Sequence, residues 1–249
     1  MKQLLLLTFT AFLCMISWQP ETARAQSIEA LYVTGGCCHN YEEQFEIISE
    51  GLADRFDIEW TVDGISETGG SYVSTRFQSP GWIDEFDIVV YNNCYAQVTD
   101  EEYIDGIVAA HAESGVGAIF LHCAMHTYRA TETDSWNQLI GIDTYSHERQ
   151  RESFVHPVNL DHPAMADFPE DGWEWPRDEL YIVRRVSENM IPLAHAYGPD
   201  TENWHIMMWA NTYEGARTIG TTMGHNSDVM DTPVFLDFVA NGVEWVLGR

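Results

Sequence analysis

Between Ile28 and Leu121, short apolar runs alternate with amphipathic stretches of helical length, and this alternation restricts the chain more than any other feature. Ile28 to Thr34 is an apolar run that ends in Gly35-Gly36, and the stretch from Glu42 to Arg55 places Phe45, Ile48 and Leu52 at helical spacing. Phe56 to Val62 reads as a second strand and Phe86 to Tyr91 as a third. Thr99 with Glu102 forms a capping-box pattern that opens a helix running through Tyr103 and Ile107 to Gly115. Gly117 to Leu121 is then the fourth strand. Strands separated by helices of this length require right-handed crossovers, so the fold class is α/β, with a doubly wound, mostly parallel sheet covered on both faces.

After His126 the alternation loosens. A short helical piece spans Ser135 to Ile140, and strand-like runs follow at Ser153 to Val158, Glu179 to Val183, Pro192 to Ala196, His205 to Trp209 and Arg217 to Thr222. Some of these are expected to form an antiparallel extension. Thr232-Pro233 opens a last helix, because proline suits the first helical position, and Phe235, Phe238, Val239 and Val246 supply its buried face. No linker or repeat divides the chain, and one α/β domain commonly runs to about 200 to 250 residues. A glycine- and serine-rich loop from Gly64 to Gly81 is long enough to suggest a role.

Lys2, the apolar stretch from Leu4 to Ile16 and the small residues Ala23-Arg24-Ala25 have the pattern of a cleavable signal peptide. Residues 1–25 are therefore read as a leader and 26–249 as the domain, exported to a periplasm or beyond the cell. Gln19, Pro20 and Glu21 interrupt the apolar stretch too early for a membrane span, which needs about 20 apolar residues. The formal net charge of −27 hardly changes when Lys2, Arg24 and Glu21 leave with the leader. Such a charge disfavours nucleic acid and anionic lipid and suits a neutral or cationic ligand. Cys37, Cys38, Cys94 and Cys123 remain, and in an oxidising compartment disulfides among them are possible, although spacing does not give the pairing.

Ligands of open parallel sheets bind beyond the carboxyl ends of the strands. That rule selects Gly35-Gly36-Cys37-Cys38-His39 after the first strand, Asn92-Asn93-Cys94 after the third, His122-Cys123-Ala124-Met125-His126 after the fourth and Gly224-His225-Asn226 after a later one. His122 and His126 would share a face if a helix began there, the geometry that lets two histidines hold one metal. With His39, His225 and Glu179 nearby, the expected site is a mixed nitrogen and oxygen set with an open position, suited to zinc or another divalent transition metal. Cys123 sits where a nucleophile elbow would place a thiol but lacks the flanking glycines. Trp82, Trp136, Trp173, Trp175 and Trp204 fall in or beside loops, where aromatic faces suit sugar rings or roof the core. Glu174, Asp178 and Glu179 add carboxylates in the same region.

Taken together, Val33-Thr34-Gly35-Gly36 with His39, Phe120-Leu121-His122-Cys123-Ala124-Met125-His126, Asp178-Glu179-Leu180-Tyr181, Gly224-His225-Asn226 and Gly242-Val243-Glu244-Trp245 resemble the ThuA-like (trehalose utilisation) family over nearly the whole chain. The resemblance implies a flavodoxin-like sheet related to the class I glutamine amidotransferases, whose nucleophile motif this chain lacks. It also implies a role in sugar metabolism, particularly of disaccharides and their 3-keto derivatives. The resulting expectation is metal-assisted cleavage of a glycoside or 3-keto-glycoside, by a lyase or hydrolase. His122, His126 and His225 would hold the metal, Glu179 and His39 would do acid and base work, and Asn93, Trp136, Trp175 and Asn226 would bind the carbohydrate. A non-catalytic carbohydrate-binding protein and a thiol enzyme built on Cys123 are the alternatives.

Overall fold

The structure is a computed structural model that describes residues 27–249. The expected leader lies outside the described residues. In chain order the elements are β1 (Ile28–Gly36), α1 (Tyr41–Ala53), β2 (Ile58–Asp63), β3 (Ile88–Cys94), α2 (Glu101–Ser114), β4 (Gly117–Leu121), α3 (Ser135–Ile140), β5 (Ile142–His147), β6 (Arg151–Pro157), β7 (Trp173–Asp178), β8 (Tyr181–Val186), β9 (Ile191–Gly198), β10 (Asn203–Tyr213), β11 (Ala216–Thr221), α4 (Ser227–Met230) and α5 (Pro233–Val246). The helix ends follow their local chemistry. Asn40 caps α1 by accepting from the Glu43 amide, and Thr232 caps α5 by accepting from Phe235. For α2 the cap is Asp100, which accepts from the Tyr103 amide, one residue beyond the expected Thr99.

Nine strands form one sheet in the order β2-β1-β3-β4-β11-β10-β9-β6-β7, and β5 pairs with β8 in a second, two-stranded sheet. The first five run parallel, in the strand order of a flavodoxin-like fold with β11 as the fifth strand. From β11 onward the pairings are antiparallel, so the mostly parallel sheet with an antiparallel extension is present. Side chains alternate across the strands. Ala30, Tyr32, Val90 and Ile119 face α1 and α5, where Ile48, Leu52, Phe235 and Phe238 are buried. Leu31, Val33, Val89, Tyr91 and Phe120 face α2 and α3, against Ile104, Ile107 and Leu139. Among the described residues no helix is long and apolar enough to cross a membrane.

The long loop from Gly64 to Gly81 packs against the strand tips, with the Gly36 amide donating to the Glu67 carbonyl at 2.8 Å. Gly36, at φ +111°, cannot carry a side chain, because a Cβ there would lie 2.6 Å from the Cys94 carbonyl oxygen. This close approach seats the β1 tip against β3. The cysteines pair as Cys37 with Cys38 and Cys94 with Cys123, the second bond joining the tips of β3 and β4.

Candidate functional site

The carboxyl ends of β1, β4 and β11 deliver His39, His122 and His225 to one place, although the outer two are 186 residues apart in sequence. Their ligand-capable atoms lie within 4.8 Å of one another. His39 Nε2 is 3.2 Å from His225 Nδ1, and the His39 ring stands edge-on to His122 with 4.8 Å between ring centroids. Glu179, in the link between β7 and β8, closes the cluster: its Oε1 is 3.2 Å from His225 Nδ1 and its Oε2 is 3.7 Å from His122 Nε2.

Backbone carbonyls set the orientation of two of the rings. His122 Nδ1 lies 2.8 Å from the Thr222 carbonyl oxygen, which can only accept, so that nitrogen carries the proton and Nε2 keeps its lone pair. The Tyr181 hydroxyl, 3.2 Å from His122 Nε2, donates to it. His39 Nδ1 likewise donates to the Cys37 carbonyl at 3.1 Å, which leaves Nε2 unprotonated and aimed at the cluster. The His39 lone pair, the His122 lone pair once the Tyr181 hydroxyl turns away from it, and a third imidazole beside them match the nitrogen donor set of a catalytic divalent metal, and carbonyl partners on the far ring nitrogens are what such ligands require. The residues therefore fit a divalent transition metal.

Burial governs the protonation of the cluster. Desolvation, helped by the neighbouring His225, lowers His39 to about 4, and burial holds His122 well below the ordinary imidazole value. His225 moves upward because its ring hydrogen-bonds Glu179. For Glu179 burial pushes upward, but the His225 hydrogen bond and the nearby His225 and His147 charges prevail and hold it low. Each partner of the pair thus moves in the direction that favours its charged form. Asp178, one residue earlier, is raised to about 7 by its burial.

His126 does not join the cluster, contrary to the expectation that it would share a metal with His122. Residues 122–126 form a 3-10 turn, in which side chains three apart eclipse and side chains four apart diverge. The His126 ring instead stacks on Tyr181, with centroids 4.1 Å apart and planes at 10°, and burial lowers its pKa to about 3. His39, expected to act as acid or base, is the third imidazole of the cluster in its place. Asn93 sits at the β3 tip but is fully buried, and neither polar atom of its side chain has a hydrogen-bond partner. Trp136 and Trp175 are each 2% exposed and offer no ring face to a sugar: the first donates to the Ala124 carbonyl and the second packs in the core. Asn226 is half-buried beside His225 and donates to the Arg177 carbonyl at 2.7 Å. Cys123 is bonded to Cys94, so it offers no free thiol for nucleophilic catalysis. His147, at the end of β5, was not legible as a site residue; its Nε2 lies 3.6 Å from Glu179 Oε1 on the exposed side.

Fold and site together define a flavodoxin-like α/β protein whose histidines meet above the parallel strand tips. The chain belongs to the ThuA family, described as trehalose utilisation, whose sequence pattern matches residues 29–246. Among solved structures it is similar to a ThuA-like protein from Parabacteroides merdae, with a TM-score of 0.69 and 19% identity over 89% of this chain and 90% of that one. A ThuA-like protein from Bacteroides uniformis gives a TM-score of 0.67 at 16% identity, over 92% of this chain and 95% of that one. A cytoplasmic protein from Salmonella typhimurium gives 0.60 at 12% identity, over 88% and 99%. At these identities the likeness shows the fold. No curated protein matches the chain.

Proposed function

We propose that this protein is an exported enzyme of sugar metabolism that uses a divalent metal to cleave a glycoside or 3-keto-glycoside. One observation carries the reading: three imidazoles from remote segments converge on one point with a carboxylate beside them. The family description supplies the sugar. A divalent cation held by His39, His122 and His225 would polarise a carbonyl or hydroxyl oxygen of the substrate.

Glu179 is the base. It is a carboxylate near neutrality beside the three imidazoles, within reach of the carbon next to a keto group whose oxygen met a cation there. In an elimination it accepts that carbon's proton, and the C–H electron pair becomes a carbon–carbon double bond as the bond to the leaving oxygen breaks. The Glu179 carboxyl then returns the proton to the departing oxygen. His39, held near 4, is neutral under the same conditions and suits a ligand better than a general acid.

The test is elemental analysis of the purified protein followed by turnover of glycosides and 3-keto-glycosides with and without chelator. The expected result is a bound divalent metal, turnover lost on chelation and restored by adding the metal back, and indifference to thiol alkylation. Protein that takes up no zinc, cobalt or nickel would overturn the reading. A second reading, carbohydrate binding without chemistry, is favoured by Trp204, which is 47% exposed and stacks on His195 with 4.2 Å between centroids. That reading predicts sugar binding that survives the chelator.

A further inference from the structure

The Gly224-His225 segment is gripped from two sides by buried polar groups that do not belong to the cluster. Asp178 is fully buried at the end of β7. Its Oδ1 accepts from the Glu179 amide at 2.7 Å and from the His225 amide at 3.0 Å, and its Oδ2 accepts from the Gly224 amide at 2.7 Å. On the other side Gln44, buried on α1, donates from Nε2 to the Gly224 carbonyl at 2.9 Å. The Oε1 of Gln44 accepts from Asn92 Nδ2 at 3.0 Å, and Asn92 also donates to the Tyr32 hydroxyl at 3.0 Å, so the glutamine cannot swing away without breaking a buried network. Both polar groups of the Gly224 peptide are therefore held by side chains. Gly224 itself has φ +118°, a backbone conformation that side-chain-bearing residues rarely adopt and that glycine takes readily.

We propose that Asp178 is a positioning residue that sets the separation of Glu179 and His225, with Gln44 as the opposing support. This inference rests on the metal-dependent reading above and extends it to the groups behind the site. One carboxylate oxygen is shared by the amides of both functional residues, so displacing either displaces the other. Glu179 falls between β7 and β8, outside any strand ladder, and its amide has Asp178 as its hydrogen-bond acceptor. A buried carboxylate is a costly means of closing a loop unless its acceptor capacity is used, and here three amides use it. Support of this kind keeps reacting groups within the few tenths of an ångström that chemistry demands.

The experiment compares wild type, Asp178→Asn, Gln44→Met and a core control, Val155→Ala on β6, by zinc and cobalt titration and by crystal structures of the metal-free proteins. Asp178→Asn keeps one acceptor oxygen but turns an NH2 group toward an amide. The expected result is folded protein with zinc affinity weaker by about 10- to 100-fold, as for other changes behind metal ligands. An altered cobalt absorption band and a broken contact between His225 and Glu179 in the metal-free structure should accompany it. Gln44→Met should shift the same readouts less, and Val155→Ala should lower stability while leaving them in place. Wild-type affinity together with an intact contact in Asp178→Asn would overturn the inference. If Asp178→Asn does not fold, Gln44→Met decides on the same two readouts. If wild type binds neither metal, the metal-dependent reading fails, and the contact in the metal-free structures alone decides the role of Asp178.

Discussion

The parallel half of the sheet and the antiparallel half are held together by different physics. In β1, β3 and β4 almost every residue is buried, and the strands lie between two apolar layers of helix. Around β5 to β9 the strands add Val155, Trp173, Trp175 and Leu193 to the core, but they also carry a dense set of ion pairs and carboxylate hydrogen bonds. Glu148, buried, accepts from the Asp200 and Thr201 amides, the Thr201 hydroxyl and Arg151, while Arg184 and Arg185 both reach Asp143. The site spans the boundary. The parallel strands contribute the three imidazoles and the antiparallel side contributes the Glu179 carboxylate.

This division of labour can be broken by substitution, beginning with the largest effect. His122→Ala, on the parallel side, should abolish measurable zinc binding and with it turnover. Glu179→Gln, on the other side, should retain zinc and lower the rate by about 10²- to 10⁴-fold, the usual range for losing a positioned base. Zinc titration beside steady-state kinetics separates the two, and loss of zinc in Glu179→Gln would make the carboxylate a ligand. Next in size is a contrast in stability. Glu148→Ala leaves Arg151 with Asp200 alone and takes the acceptor from the Asp200 and Thr201 amides, and should cost about 1 to 3 kcal/mol. Arg55→Ala, which removes a half-exposed pair with Asp237 on the parallel side, should cost about 0 to 1 kcal/mol. Urea unfolding measures both, and equal costs would erase the contrast.

The smallest effect is one of pH. His111, buried on α2 between the Tyr91 hydroxyl and the Val116 carbonyl, is lowered by desolvation from 6.5 to about 4. The unfolded chain therefore binds this proton first as the pH falls, and stability is lost between about 6.5 and 4. Glu148 is held below its ordinary 4.5 by its hydrogen bonds to Thr201 and the Asp200 amide, so its contribution is present above that pH and disappears only on further acidification. His39, His122 and His126, lowered in the same way, share the first window, so unfolding midpoints from pH 8 to 3 should show His111→Phe making it shallower by one group's contribution and Glu148→Gln doing the same to the second. A single common window would contradict the assignment.

The same contrast explains what was readable in the residues. Buried parallel strands appear as unbroken apolar runs, and Ile88 to Tyr91 and Gly117 to Leu121 stand out for that reason. β5 (Ile-Asp-Thr-Tyr-Ser-His) and β7 (Trp-Glu-Trp-Pro-Arg-Asp) carry charge and proline without clean alternation, and neither was legible. β7 tolerates Pro176 because it is the edge of the large sheet. The strand-tip rule was enough to find His39, His122 and His225. It misassigned His126, because helical spacing was assumed where the chain makes a tighter turn, and it passed over His147, because the strand that bears it was unseen. The three amides converging on Asp178 leave no trace in spacing at all, since backbone groups are not written in side-chain identity.

The strand order has a consequence for synthesis. β11 lies between β4 and β10 and alone connects the two halves of the large sheet, yet it is the last strand made. Until it slots in, the nascent polypeptide has an unsealed seam down its middle, and His225, just beyond that strand, has nowhere to dock. The three imidazoles can thus meet only after the last strand is in place, and a chain shortened before β11 would lack both the seal of its large sheet and the third ring.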